Sequence, residues 1–106
     1  MVEAKEALAL NTKKARTEVK CILLQMDFAF EFDFGEVKEE RWTKRCGGNL
    51  VGVWIKSDEH DLIETIGITV FSGPDEGSQI VATTMFIGPC PLSLFLEIFE
   101  AVTKNV

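Results

Sequence analysis

A long stretch of alternating apolar residues limits the folds open to this chain. From position 22 onward every second residue is apolar, and the last four of these are phenylalanines. The alternating set is Ile22, Leu24, Met26, Phe28, Phe30, Phe32 and Phe34. A period of two is typical of a strand, because successive side chains point to opposite faces. We therefore predict an extended segment over Val19–Phe34 that lies under the final helix.

The length of this segment is a constraint of its own. An extended segment from Val19 to Phe34 would span about 50 Å at roughly 3.3 Å per residue, whereas a domain of this size is only about 35 Å across. The segment must therefore bend, curl, split into two strands or reach beyond its domain. Gln25 and Ala29 are the weakest points of the pattern, and we predict the break at one of them.

A short amphipathic helix is predicted before this segment, over residues 2–15. The residues are mainly Ala, Leu, Glu and Lys, which are strong helix formers. Glu3 and Glu6 lie early and Lys13 and Lys14 lie late, which is the charge order that a helix dipole favours.

The rest of the chain reads as strands, turns and a second helix. Four further strands are predicted, at Val37–Arg45, Leu50–Lys56, Leu62–Ser72 and Gln79–Ile87. The first carries charges on both faces, which is typical of an edge strand, and the second is apolar on both faces, so it should be central. Glycine-rich turns at positions 46–49 and 73–77 separate them.

The second helix is predicted to start at Pro91, because proline fits the first helical position. Its apolar surface is wider than one sheet face normally covers, so part of it should contact the N-terminal helix or a second subunit. We therefore predict a single α+β domain over residues 1–106. It consists of an N-terminal helix, an antiparallel β-meander of about five strands and a C-terminal helix packed on the sheet.

Composition limits the class of protein. The hydrophobic fraction of 46% is ordinary for a globular domain and argues against disorder. No run approaches the roughly 18 apolar residues of a membrane span, and the N-terminus lacks the apolar core of a signal peptide. Cys21, Cys46 and Cys90 have no metal-like spacing and fit reduced thiols. We expect a small acidic cytoplasmic protein that does not contact membranes.

No combination of residues predicts a catalytic site, so we expect a protein without enzymatic activity. Cys90 precedes a helix, where the dipole favours a thiolate, but the sequence supplies no base near it. His60 lies in an acidic loop without a second histidine to complete a metal site. Asp27, Glu31 and Asp33 share one face of the predicted strand, which reads as solvated surface or as a surface for a cation or a basic partner. Neither a metal nor a cofactor is predicted.

The leading hypothesis is a non-enzymatic protein-binding module that forms a homodimer. The excess apolar surface of the C-terminal helix or an open sheet edge would supply the interface, and an exterior of net charge −6 would contribute to the choice of partner. The residues predicted to bind protein are Leu92, Phe95, Leu96 and Phe99. Adaptors, chaperones and inhibitors, including phage or viral accessory factors, have this character.

Two alternatives stay open. A single-stranded nucleic-acid-binding module would combine cations with an aromatic ring that stacks on bases. Its residues would be Lys13, Lys14, Arg16, Arg41, Trp42, Lys44 and Arg45. A binder of small apolar ligands would instead enclose a pocket between sheet and helix. That pocket would be lined by Phe28, Phe30, Phe32, Phe34, Phe95 and Phe99.

Overall fold

A computed structural model of the chain describes residues 8–33, 39–75 and 77–104. The elements within these ranges are α1 (Lys13–Gln25), β1 (Ala29–Asp33), β2 (Glu39–Cys46), β3 (Asn49–Ser57), β4 (Ile63–Phe71), β5 (Ile80–Ile87) and α2 (Leu92–Lys104). The strands form one antiparallel sheet in the order β1-β2-β3-β4-β5. This arrangement confirms the predicted α+β meander between two helices.

Both helices pack on the same face of the sheet. The register places Trp42 opposite Val53 and Val53 opposite Ile68, so these three side chains share a face. They are buried in one core together with Leu23 of α1 and Phe99 of α2. The core is therefore a single layer between the sheet and the two helices.

The opposite side of the sheet is not covered by α1 or α2, and we call it the helix-free face. One row of side chains crosses it from Arg41 on β2 to Trp54 on β3, Gly67 on β4 and Met85 on β5. A solvated face of an antiparallel sheet is normally polar. Trp54 and Met85 make this face more apolar than that pattern predicts.

The prediction of one extended segment over Val19–Phe34 is wrong in its first half. Residues up to Gln25 belong to α1, and the extended part begins only at Ala29. The alternation placed Leu24 on the inward apolar face, but Leu24 is 62% exposed, whereas its neighbour Leu23 is 1% exposed. Asp27, at φ 64°, lies in the reversal between helix and strand.

The helix predicted over residues 2–15 is displaced along the chain. Residues 1–7 lie outside the described residues, and residues 8–12 have no helical structure. The helix begins after Thr12, whose Oγ1 accepts a hydrogen bond from the Ala15 N–H at 3.2 Å. Thr12 is therefore the N-cap of α1.

Residues 8–11 run beside the segment that precedes α2. The N–H of Leu10 donates to the carbonyl of Cys90 at 2.9 Å, and the N–H of Leu92 donates to the carbonyl of Leu8 at 2.7 Å. Ala9 also forms a bridge with Pro91. We call this set of contacts the terminal clamp, because it joins the start of the described chain to the start of the last helix.

The hairpins follow the sequence reading with one exception. β3 is the central strand, and a turn connects it to β2 through Gly47 and Gly48, which have φ values of 57° and 95°. The prediction that Val37–Arg45 forms an edge strand is wrong, because β2 pairs with β1 on one side and with β3 on the other. β1 takes the edge position.

The last helix begins at Leu92, directly after Pro91. Its inward residues stack in the core, with the rings of Phe95 and Phe99 5.5 Å apart and the ring of Phe86 5.5 Å from Phe95. Among the described helices, none combines the length and the apolar character that crossing a bilayer requires.

Candidate protein interface

The outer strand β5 carries most of the large apolar side chains that the described residues expose. Ile80, Val81, Met85 and Ile87 are each more than half exposed. The other exposed apolar residues are scattered singly over α1, β1 and α2. Exposed apolar residues are common one at a time, whereas a cluster on one element marks an interaction surface.

β5 also lacks the charged residues that usually protect a sheet edge. Its sequence is IVATTMFI, and no charged residue occurs from Gly77 to Leu96 in a chain in which 26% of residues are charged. Edge strands of monomeric proteins commonly carry lysine, proline or a bulge. The register of β5 is irregular at Val81, but from Ala82 to Ile87 it is regular. A regular uncharged edge of this kind favours pairing with another strand.

The backbone of β5 is oriented for such pairing. In an antiparallel pair, alternate residues direct both backbone groups toward one neighbour and the intervening residues direct them away. Gly88 N–H donates to the carbonyl of Glu64 at 2.9 Å, so even-numbered residues at this end of β5 face β4. Thr83 and Met85 therefore direct their N–H and C=O groups to the outer side, where no described strand pairs with them. Ile87 has the same orientation, but its carbonyl already accepts a hydrogen bond from the Cys90 N–H at 3.0 Å.

The other edge of the sheet is protected. β1 has five residues against eight in β5, and two of those five, Glu31 and Asp33, are acidic. Its register with β2 shifts between Phe30 and Phe32, which interrupts a regular edge. Of the two edge strands, β5 is the longer one and the one without charged residues.

The helix residues predicted to bind protein lie largely inside the domain. Leu92, Phe95 and Phe99 are almost completely buried against the sheet, and Leu96 is partly buried against the same core. They are covered because α2 packs on the sheet, where the ring of Phe95 contacts that of Phe86 and the ring of Phe99 contacts that of Phe28. A partner could not reach these three side chains without unfolding the core.

The residues predicted to bind nucleic acid are divided between the two faces of the sheet. Trp42 is 5% exposed on the helix-covered face, with its ring 5.2 Å from that of Phe30, so the indole is not presented for base stacking. Lys44 shares this face by register, whereas Arg41 and Arg45 lie on the helix-free face. Arg45 Nε donates to the carbonyl of Pro74 at 3.3 Å.

The cations of α1 are not gathered into one patch with these residues. Arg16 forms an ion pair with the buried Glu40 and also donates to Ser57 Oγ. Lys20 Nζ lies 3.2 Å from the other carboxylate oxygen of Glu40. Lys13 and Lys14 are exposed in the first turn of α1. Arg16 therefore ties α1 to β2 and β3.

The phenylalanines predicted to line an apolar pocket mostly pack on one another. The ring centroid of Phe99 lies 5.5 Å from those of Phe28 and Phe95, and Phe30 is half exposed beside Trp42. The side chain of Phe32 and the whole of Phe34 lie outside the described part of the chain. The described rings occupy the space that a ligand between sheet and helix would need.

The candidate catalytic and metal-binding residues have structural partners. Cys90 is partly buried, and its N–H donates to the carbonyl of Ile87 at 3.0 Å. Asp58 Oδ1 accepts from the N–H groups of His60 and Leu62, which closes the loop around the exposed imidazole. Within residues 8–33, 39–75 and 77–104, no group of three or more histidine, cysteine or acidic side chains is placed to hold a metal ion.

Two acidic residues of the predicted strand face, Asp27 and Glu31, line one open surface pocket together with Asp75. Glu31 Oε2 accepts a hydrogen bond from Thr43 Oγ1 at 3.1 Å, and Asp27 is exposed in the reversal before β1. The side chain of Asp33 is outside the described residues.

Comparisons with protein-family models, with curated proteins and with solved structures find no match to this chain. Its function has to be argued from the β5 edge and the faces of the sheet.

Proposed function

We propose that this chain is a non-enzymatic protein-binding module that forms a homodimer through β5. The observation that carries the proposal is the uncharged, outward-facing strand with four exposed apolar side chains. Pairing two copies of β5 in antiparallel orientation continues the sheet across a two-fold axis and satisfies the backbone groups of Thr83 and Met85. Adaptors, chaperones and inhibitors are the functional classes that this architecture suits.

The β5 edge is the surface where a second copy of the chain can approach despite its charge. The chain has a net charge of −6, so two copies repel one another over most of their surface. The strip without charged residues is the part of the surface where that repulsion is weakest. An isologous contact also needs a surface that is complementary to itself, and an antiparallel pair of identical strands meets that condition.

The test compares two substitutions at equally exposed positions. Met85 is 60% exposed on β5 and Leu24 is 62% exposed on α1, so Met85→Lys and Leu24→Lys remove similar apolar surface and add the same charge. Light scattering should give a mass twice the 11.8 kDa of the chain for the wild type and for Leu24→Lys. Met85→Lys should give the monomer mass, because two lysines would meet across the two-fold axis.

Circular dichroism should show that both variants keep the fold. A wild-type protein that stays at 11.8 kDa at high concentration would remove the dimer from the proposal. Equal dissociation by the two lysine variants would show that β5 is not the site of association.

A further inference from the structure

We propose that the helix-free face contains a binding site for a small aromatic carboxylate, centred on Gly52. A cavity of about 200 Å³ opens on this face. An apolar protein cavity of roughly 150 Å³ is large enough for one benzene molecule, so the volume fits one aromatic ring and little more. The site lies over β2, β3 and β4, and Ile80 of β5 also lines it, whereas Met85, the β5 residue chosen to test association, does not.

The cavity exists because Gly52 has no side chain. The register places Thr43 and Thr69 on either side of Gly52, so the three positions form one row across the sheet. A Cβ built on Gly52 would have only Phe71 Cε2 and the Thr69 carbonyl oxygen near it, each at 3.9 Å. The space above the glycine is therefore open to a ligand.

The walls of the cavity are aromatic, and the two threonine hydroxyls of its floor already have hydrogen-bond partners within the sheet. Trp54 and Phe71 both line it. Thr43 Oγ1 already donates to Glu31 at 3.1 Å, and Thr69 Oγ1 lies 2.8 Å from Thr83 Oγ1. A group that enters between the two aromatic side chains should therefore be apolar and flat, since aromatic rings pack favourably against one another.

Arg41 supplies the polar end of the site. It is the one charged residue among the described residues that line this cavity, and it lies directly opposite Trp54 in the register. Arg41 already takes part in an interaction within the protein, but a guanidinium carries five donors in a planar arrangement that matches a carboxylate, so one interaction does not use them all. A ligand with an aromatic ring and a carboxylate a short distance from it would satisfy both parts of the site.

The test is an NMR titration of ¹⁵N-labelled protein with 3-phenylpropionate and with its neutral amide. The carboxylate should shift the Trp54 indole N–H and the Gly52 amide in a saturable way, and the amide should bind roughly tenfold more weakly, because charge-assisted hydrogen bonds are the stronger ones. Trp54→Phe assigns the indole signal, since Trp42 gives the only other one.

Filling the cavity should abolish binding without loss of the fold. Gly52→Ala adds a methyl group at ordinary contact distance, and Gly52→Val fills more of the space with a residue that suits strands. Arg41→Gln should reduce the affinity for the carboxylate to that for the amide. The Met85→Lys protein should bind as the wild type does, which separates this site from the proposed dimer.

Three results would overturn the proposal. One is the absence of a saturable shift at Trp54 and Gly52 with either probe. Another is equal affinity for the acid and the amide, which would exclude a role for Arg41. The last is unchanged binding by a Gly52→Val protein that gives a dispersed, folded spectrum.

Discussion

The indole ring of Trp54 occupies the space that a side chain at Gly67 would need. The two residues are opposite one another on β3 and β4, and a Cβ built on Gly67 would lie 2.1 Å from Cε2 of Trp54. The Trp54 ring can therefore lie over β4 because Gly67 has no side chain. This contact fixes one wall of the Gly52 cavity.

Gly67→Ala should displace the Trp54 ring. The methyl group cannot fit beneath it, and overpacking of this kind typically costs about 1–3 kcal/mol. Chemical denaturation should show the loss, and the tryptophan emission should move to longer wavelength as the ring becomes more exposed. Gly52→Ala is the matched control, because its Cβ meets nothing closer than 3.9 Å. Equal stability of the two variants would contradict this account.

Glu40→Ala should destabilise the contact between α1 and the sheet. Glu40 is buried and pairs with both Arg16 and Lys20. Removing the buried carboxylate leaves both cations without their ion-pair partner. Because both cations are partly exposed to water, the free energy of unfolding should fall by roughly 1–3 kcal/mol. Urea denaturation measures the change.

The control for Glu40 is an exposed ion pair on the last helix. Glu100 lies 3.4 Å from Lys104, and both side chains are largely in solvent. Glu100→Ala should change the free energy of unfolding by less than about 0.5 kcal/mol. A comparable loss for Glu40→Ala and Glu100→Ala would show that burial of Glu40 contributes little.

Phe95→Ala should be among the most destabilising single substitutions. Its ring is buried between Phe86 and Phe99, and phenylalanine-to-alanine changes in a core cost about 3–5 kcal/mol. Leu94, the neighbouring residue on the exposed side of α2, provides the control, since Leu94→Ala should cost less than about 1 kcal/mol. If Phe95→Ala kept full stability but lost association, Phe95 would belong to an interface, as the sequence first suggested.

Thr12→Ala should weaken the start of α1. Thr12 Oγ1 accepts from Ala15 N–H and donates to the carbonyl of Ala9 at 2.9 Å, and loss of an N-cap typically costs about 1 kcal/mol. Thr17→Ala, on the exposed side of the same helix, should stay within about 0.5 kcal/mol of the wild type. Thermal unfolding followed by circular dichroism distinguishes these outcomes, and equal losses would exclude a capping role for Thr12.

The main error in reading the sequence came from two patterns that overlap. Ala15, Val19 and Leu23 recur every four residues and form the buried side of α1, while the alternating set starts at Ile22. The two patterns overlap at positions 22 and 23. Because the alternation continues to Phe34, it led to the prediction of one extended segment. Gln25 and Ala29, predicted as break points, are the last residue of α1 and the first of β1. The excess length of the segment was the signal that one strand could not account for it.

The turns were predictable because their chemistry is local. Gly47 and Gly48 have positive φ values that other residues rarely adopt. In the turn between β4 and β5, Asp75 Oδ1 accepts from the Gly77 N–H at 2.9 Å. Such positions need no information about the rest of the fold, so the order of the strands after Cys46 followed from them.

The candidate interface was not predictable in the same way. The broad apolar stripe on α2 suggested a surface, but its largest residues are buried in the core. β5 was assigned correctly as a strand, and the predicted meander places the last strand at an edge, but the prediction named only helix residues as the binding surface. The run without charged residues from Gly77 to Leu96 is visible in the sequence and indicates an unprotected edge. The net charge of the entire chain does not reveal it.

The terminal clamp bears on the order in which this protein folds. Each pair of neighbouring strands is also consecutive in the chain, so the sheet can grow by successive hairpins that each close a short loop. The bridge between Ala9 and Pro91 instead joins positions near opposite ends of the sequence. Contacts so distant along the chain are entropically costly to form early, so we expect the transition state for folding to contain the hairpins and to lack the clamp.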